Sequence, residues 1–234
     1  MKKLMLLAVM AVCLANTMAF GADVAAGIDL ASAYVFRGAT FNDGLVAQPS
    51  VEISGLPVTF GVWGNFDLDD YGGNVAKNEF SEIDLYAGYE IPLGLDPFGL
   101  AAGCTEYTYP GGGAEADREV SLTASADILL NPTVALFYGF DGAIADSVYA
   151  EAGLGHSFAL PADVSLDAGL TVGYLNPEDG ADGFSHWTGS VELSWKMLSA
   201  GMVYIGQIDD EVLPEGEFAY DAEVAVTLGL SHAF

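Results

Sequence analysis

The sequence predicts an all-β fold, a transmembrane antiparallel up-and-down β-barrel of about twelve strands. Three observations support this. Short runs alternate with a period of two, no later stretch reaches about 18 consecutive apolar residues, and the turns between runs alternate between short and long. Hydrophobic residues make up 52% of the chain. A chain this apolar without a helical span forms either a large soluble core or a membrane barrel, and the strand pattern favours the barrel.

The N-terminus, residues 1–22, reads as a cleaved signal peptide. Two lysines open it, and the apolar run Leu4 to Ala15 is too short to span a bilayer comfortably. Small residues place the cleavage after Gly21 or Ala22. We therefore expect one exported domain, residues 23–234.

The alternating runs that follow are the expected strands, and no amphipathic helix interrupts them. Residues 98–109 change face halfway, and Pro49 removes a ladder hydrogen bond from the second run, so the count falls to ten if such runs fail to form. The expected strands are 24–37, 45–54, 58–68, 80–91, 98–109, 118–129, 133–141, 147–158, 164–175, 186–197, 200–208 and 219–234.

Each clear strand has one face suited to lipid and one suited to water. In 164–175, for example, Leu166 and Leu170 oppose Asp167 and Thr171. Short connections, four of five with a proline, alternate with longer loops rich in glycine and acid. Transmembrane barrels have this arrangement, with short periplasmic turns and longer outer loops.

The last strand would be an unpaired edge in an open sheet, which invites aggregation. A closed barrel covers this edge by pairing the last strand with the first. An even strand count also puts both termini on the side of the short turns.

The charge balance excludes several functions. Lysine and arginine total 6 against 33 aspartates and glutamates, so the chain lacks the basic footprint of a nucleic-acid-binding protein. Cys104 has no partner after signal cleavage, which excludes a disulfide framework and a zinc site of the Cys-x-x-Cys kind. No cofactor, metal or catalytic site is predicted.

The candidate functional residues are charged side chains that the alternation turns inward. Excess acid along a water-filled bore favours cations. Arg37 either braces the wall through an ion pair or forms a constriction, and the aromatic residues Trp63, Tyr86 and Phe137 also point inward and narrow the bore. The pore-lining candidates are Asp29, Arg37, Glu52, Asp67, Asp84, Asp127, Glu151, Asp167, Glu192, Lys196 and Glu223.

A serine–histidine pair, Ser185 and His186, lies at an outer strand end. Some outer-membrane hydrolases use such residues, but neighbours in a strand point to opposite faces, so we do not expect these two to act together.

Four stretches resemble a family of Gram-negative putative porins, the TorF-like family. The first is Ser32-Ala33-Tyr34-Val35-Phe36-Arg37-Gly38, and the others begin at Gly61, Glu82 and His186. The resemblance implies an outer-membrane barrel with channel activity, without catalytic residues or a stated substrate. The sequence departs from that pattern in its acidity and at Ala39-Thr40-Phe41. The terminal Phe234 also resembles the assembly signal of bacterial outer-membrane barrels.

The expected function is a narrow, cation-preferring outer-membrane channel for passive diffusion of small hydrophilic solutes or ions. The alternatives are a non-conducting structural or adhesive barrel that binds divalent cations or lipopolysaccharide, an outer-membrane lipid or peptide hydrolase, and a secreted β-sandwich. Expected partners are outer-membrane lipid, lipopolysaccharide and the barrel-assembly machinery, through Phe234. The sequence leaves the oligomeric state open.

Overall fold

A computed structural model of the protein describes residues 21–73, 75–111, 114–216 and 218–234. The predicted signal peptide therefore lies outside the described residues, apart from its last two. Fourteen strands are present in the described ranges: β1 (Asp23–Ala31), β2 (Tyr34–Phe36), β3 (Ala39–Asn42), β4 (Val46–Ser54), β5 (Thr59–Asp67), β6 (Phe80–Glu90), β7 (Phe98–Thr108), β8 (Asp117–Ala126), β9 (Thr133–Asp141), β10 (Val148–Leu160), β11 (Val164–Asn176), β12 (Gly183–Trp195), β13 (Leu198–Gln207) and β14 (Val224–Ala233).

Twelve of these strands, β1 and β4 to β14, form a closed antiparallel barrel, which confirms the predicted fold. Closure comes from the terminal strands, whose register runs from Ala25↔Ala233 to Ala31↔Thr227. The edge that an open sheet would leave unpaired is thus paired with β1 from Thr227 to Ala233. No helix among the described residues is long and apolar enough to cross a bilayer.

The outside of the barrel carries large apolar side chains, and the inside carries small or polar ones. Leu122, Leu170 and Leu193 are among the exposed residues of the outer face. On the inner face, Gly103 and Gly169 are paired with the small residues Ser121 and Ser190 of neighbouring strands. Small inner residues leave room for a bore, and the apolar outer band suits lipid.

Pro49 does not shorten its strand. The β1–β4 ladder runs unbroken past it, but the β4–β5 ladder skips Gln48 and Pro49 and then resumes in the same register at Ser50↔Trp63. A proline has no N–H to donate, so the ladder is interrupted locally while the strand continues. The count is therefore twelve rather than ten.

The first predicted strand, 24–37, is too long. The chain leaves the barrel after Ala31, and β2 and β3 form a separate hairpin folded into the bore. Its turn residues, Arg37 and Gly38, both have positive φ, 51° and 84°, the conformation of a two-residue hairpin turn. The hairpin buries its aromatic residues against the inner wall, where Ala31, Tyr34 and Val46 form a buried apolar cluster with Phe36, Phe41 and Trp63 packed on it.

The last predicted strand also differs, because β14 begins at Val224 rather than at residue 219. The preceding loop, 208–223, folds over the hairpin instead. The Thr40 N–H donates to the Ala219 carbonyl oxygen at 2.7 Å, and the Ala222 N–H donates to Thr40 Oγ1 at 2.9 Å. Extended pairing with β13 is replaced by contacts that hold the hairpin in place.

The loop alternation is real but less strict than predicted. The loops 32–45, 68–79 and 208–223 are long and share the side opposite the termini, whereas the turns 161–163 and 196–197 are the shortest on the terminal side. The loop 142–147, however, is no longer than the turn 127–132 on the terminal side. The side opposite the termini is called the outer end of the barrel below. Most of the loop length at this end thus lies in three loops: one forms the hairpin, and the 208–223 loop packs against it.

Candidate functional site: a bore narrowed at one end by an inner hairpin

The hairpin tip is fastened to the far wall of the barrel by Arg37. Its Nη1 and Nη2 donate to the two carboxylate oxygens of Glu119 on β8, at 3.0 and 2.8 Å. Glu119 is only 3% exposed and also accepts a 2.7 Å hydrogen bond from the Tyr107 hydroxyl. A bidentate, largely buried pair of this kind has a defined geometry as well as a favourable energy.

Aromatic rings enclose the same guanidinium. The Arg37 Cζ atom lies 4.4 Å from the ring centroids of both Phe137 and Tyr149, and 4.7 Å from that of Phe36. Each ring face attracts the cation. These contacts explain how a non-glycine residue is held at positive φ, a conformation that persists only where the surroundings fix it.

The rest of the hairpin is also anchored to the wall. The Tyr34 hydroxyl donates to Glu82 at 2.8 Å, and Asn42 Nδ2 donates to Asp67 at 2.7 Å. At the tip, a Cβ added to Gly38 would lie 2.6 Å from the His186 ring, so only glycine allows this approach. The hairpin therefore spans the bore from β5 and β6 to β12.

A second contact fixes the outer loops to each other. The Tyr71 hydroxyl, in the β5–β6 loop, donates to Asp221 in the β13–β14 loop at 2.8 Å. Burial and this hydrogen bond raise the pKa of Tyr71 to about 12, so its phenol stays protonated and able to donate at neutral pH.

The bore contains a cavity of about 720 Å³ beside the hairpin. The wall includes Trp63, Tyr86 and Phe137, the three aromatic residues expected to narrow it, together with Thr171 and Thr188. The Tyr86 hydroxyl donates to Glu52 at 3.1 Å across the inner face of the β4–β6 strands. The space is large enough for several waters or a small solute.

Seven of the sequence-predicted pore residues belong to this inner wall or to the hairpin. Arg37, Asp84 and Glu151 line the cavity directly. The other four share a strand face with a cavity-lining residue by alternation. These four are Asp29 (with Ala31), Glu52 (with Gln48), Asp167 (with Thr171) and Glu192 (with Thr188). Asp167 and Glu192 are register partners on neighbouring strands.

The other four predicted residues lie elsewhere. Asp67 is buried at the outer end of β5, in the wall of a separate, smaller cavity. Asp127 lies in the turn after β8, and Glu223 lies in the outer loop just before β14. Lys196 lies in the β12–β13 turn, and its ammonium is 4.6 Å from the centroid of the exposed Trp195 ring rather than over the bore. The reason is that β12 ends at Trp195 and the backbone turns at Lys196 with positive φ.

Sequence reasoning missed the partner of Arg37. Glu119 shares the inner face of β8 with Ser121 and Thr123, so alternation alone could have placed it in the bore. Glu82 was left out of the candidates too, although alternation places it on the same face of β6 as Asp84. Asp84 Oδ1 is buried without a hydrogen-bond partner among the described groups.

The serine–histidine pair differs from its prediction. Ser185 Oγ lies 3.0 Å from His186 Nδ1, and both residues are buried. The reason is a β-bulge, since the β11–β12 register shifts between Gly173↔His186 and Tyr174↔Phe184 and leaves Ser185 unpaired. Ser185 Oγ also lies 3.3 Å from the Gly173 carbonyl oxygen, so the hydroxyl has two hydrogen-bond partners. A catalytic serine must reach its substrate, and Ser185 is 1% exposed, so this geometry does not favour a hydrolase.

A metal centre is not evident either. Within the described ranges, no group of three or more histidine, cysteine, aspartate or glutamate side chains is arranged to hold a metal ion.

A family model described as "Bacterial protein of unknown function (Gcw_chp)" matches residues 15–234. The chain belongs to the Gcw_chp family. The match covers all twelve barrel strands and the hairpin of this Gcw_chp protein, so the family assignment applies to the whole barrel. It does not decide the TorF-like resemblance, which stays an interpretation of the motifs. No curated protein matches the sequence.

Solved structures show the same fold. The COG4313 outer-membrane channel from Pseudomonas putida F1 aligns with a TM-score of 0.53 at 10% identity, covering 92% of this chain and 96% of that chain. A structure from a study of the in-meso crystallisation of membrane proteins aligns with a TM-score of 0.54 at 11% identity, covering 91% and 84%. At such identities the likeness shows the barrel fold alone.

Proposed function

We propose that this Gcw_chp protein is a narrow outer-membrane channel for passive diffusion of small hydrophilic solutes or ions, with a preference for cations. The observation that carries the proposal is the bore itself, whose inner face combines a cavity of about 720 Å³ with carboxylates from several strands. Acids on a pore wall attract cations and repel anions.

The charge on the one cation of the hairpin does not oppose this preference. Arg37 is paired with Glu119, so its positive charge is neutralised where it meets the bore. Arg118, by contrast, lies at the rim beside Glu106 and Asp141 and is 41% exposed. The acids Glu151 and Asp167, which take part in none of the ion pairs of the described residues, thus supply negative charge along the path.

Width is the second part of the proposal. Twelve strands lie between eight, whose interior is filled by side chains, and sixteen, which leave an open aqueous channel. The hairpin then occupies the outer part of the bore. Permeation is accordingly limited to small solutes, and the hairpin is the element that sets the limit.

Location and partners follow from the outer surface. The apolar band is proposed to face outer-membrane lipid and lipopolysaccharide. Phe234 is 60% exposed while its backbone N–H donates to the Val24 carbonyl oxygen at 2.8 Å. Its ring is therefore accessible to the barrel-assembly machinery, which we propose reads it as a terminal signal.

A second candidate is a barrel that does not conduct and has a structural or adhesive role. The burial of Thr40 and Asn42, both 0% exposed, favours it, because the hairpin is tightly packed where the bore would open.

A liposome-swelling assay separates the two candidates. Proteoliposomes that hold the folded barrel are diluted into solutions of glycine, glucose and a disaccharide. A channel gives swelling rates that fall steeply with solute size, whereas a closed barrel gives the rate of protein-free liposomes for every solute.

A further inference from the structure

A second, smaller cavity lies at the outer end of the barrel, apart from the bore. Its volume is about 240 Å³, and its wall comes from the hairpin, the β5–β6 loop, the start of β6, the β7–β8 loop and the β13–β14 loop. Tyr34 separates the two spaces, since it lines both.

Asp67 is the most deeply buried carboxylate in the wall of this cavity. The residue is 1% exposed, and its Oδ1 accepts hydrogen bonds from Asn42 Nδ2 at 2.7 Å and Asn65 Nδ2 at 2.9 Å. Its Oδ2 is buried without a partner among the described residues. A buried carboxylate oxygen without a donor is costly, so a cationic donor that reaches Oδ2 from the cavity would remove that cost.

Two further carboxylates, Glu79 and Glu82, line the same space. Asp67, Glu79 and Glu82 take part in none of the ion pairs among the described residues. No lysine or arginine of the described residues therefore neutralises these three acids. Tyr109, in the loop after β7, also lines the cavity. Burial, a hydrogen bond to Asp117 and the nearby carboxylates raise the pKa of its phenol, so the phenol stays neutral beside these acids.

Aromatic rings decide what kind of cation fits. Tyr34, Phe80 and Tyr109 line the same space as the acids, and ring faces attract organic cations while also burying their hydrocarbon parts. An inorganic divalent ion needs several oxygen ligands converging at one point, and no such group of three occurs within the described ranges.

We propose that this outer cavity is a binding site for a small organic ammonium ion with an apolar body, its nitrogen directed to Asp67 and its body against the rings. The size is suitable, because an apolar cavity of about 150 Å³ already admits benzene. This inference does not depend on conduction through the bore, since binding is measured on the folded barrel whether or not ions pass.

The test is isothermal titration calorimetry of the folded barrel in detergent with 2-phenylethylammonium chloride. The neutral probe 2-phenylethanol is titrated in parallel. We expect saturable binding of the ammonium probe that is roughly tenfold or more tighter than that of the alcohol, because the charged donor meets a buried carboxylate. Equal binding of the two probes, or no saturable binding of either, overturns the proposal.

Three variants locate the site. D67N keeps the shape and the Oδ1 acceptor and is expected to lose roughly tenfold or more in affinity for the ammonium probe. Gly111→Leu fills the cavity from a position where an added Cβ meets only ordinary contacts, at 3.4 Å or more, and should abolish binding while the barrel stays folded. Asp179→Asn is the control, because it removes the same single negative charge from an exposed loop. This variant should bind the probe as the parent does.

The same variants distinguish this site from long-range attraction and from binding elsewhere on the barrel. Loss of the same size in D67N and Asp179→Asn would mean that only long-range charge attracts the probe. Unchanged binding in both D67N and Gly111→Leu would place the probe elsewhere. Displacement of the probe by calcium chloride at a lower concentration than by methylammonium chloride would identify an inorganic cation site instead. Each of these outcomes overturns the proposal.

Discussion

Replacing Arg37 with alanine should release the inner hairpin and open the bore. Arg37 is the main contact between the hairpin tip and the far wall, where it forms a bidentate pair with Glu119 and lies 4.4 Å from the ring centroids of Phe137 and Tyr149. Its loss leaves Glu119, at 3% exposure, as a buried carboxylate without its cation.

The expected magnitude follows from these contacts. Removing one partner of a buried ion pair costs about 3–5 kcal/mol. Because the Arg37 side chain is still 19% exposed, solvent screens part of the interaction, and the lower end of about 3 kcal/mol applies. A change of about 3 kcal/mol shifts a two-state equilibrium roughly 150-fold. The hairpin, which is almost always docked in the parent, would then undock in Arg37→Ala often enough for each undocking to appear as a separate change in conductance.

Single-channel recording of Arg37→Ala in a planar bilayer measures this. The variant should show larger conductance steps and more frequent transitions than the parent. Arg118→Ala is the matched control. Arg118 is an arginine in ion pairs as well, with Glu106 and Asp141, but on the exposed rim, where ion pairs contribute about 1 kcal/mol or less. If Arg37→Ala, shown to be folded by its heat-modifiable gel mobility, conducts like Arg118→Ala, the hairpin is not the element that limits the bore.

Two further predictions concern the wall of the bore. The double variant Asp167→Asn with Glu192→Gln removes two adjacent inward charges while keeping polar side chains. The reversal potential in a salt gradient should therefore move toward zero. An unchanged reversal potential would show that these acids are not in the ion path. In Gly61→Ala, the new Cβ would lie 2.0 Å from the Tyr86 ring and must push that ring aside into the bore, so conductance should fall. Gly88→Ala on the neighbouring strand is the control, because an added Cβ meets nothing within 4 Å there, and it should conduct as the parent does. Equal conductance of Gly61→Ala and Gly88→Ala would contradict a narrowing role for Tyr86.

The barrel could be predicted from the sequence because each strand carries its own evidence. Period-two alternation fixes which side chains share a face, and closure follows from the need to pair the last strand. The same alternation placed Asp84 and Glu151 on the inner face, where both line the cavity. Pro49 was ambiguous because a single proline interrupts one ladder without ending the strand.

The hairpin could not be predicted from alternation, because an extended run looks the same whether it pairs in the barrel or folds back inside it. A local signal was present in the dipeptide Arg37-Gly38. Two residues that include a glycine and lie between two short β-strand patterns are typical of a tight hairpin turn. The Arg37–Glu119 pair joins residues 82 positions apart, and no local pattern reports such a contact. Ser185 and His186 were misjudged for a similar reason, because a β-bulge depends on the neighbouring strand's register and not on the dipeptide.

Planar-bilayer conductance of the folded wild-type barrel under a potassium chloride gradient tests the proposed channel most directly. We expect small discrete steps and a reversal potential of the sign given by cation selectivity, because carboxylates dominate the inner wall and Arg37 is neutralised by Glu119. A folded barrel that gives no steps, or steps with an anion-selective reversal potential, would contradict a cation-preferring channel.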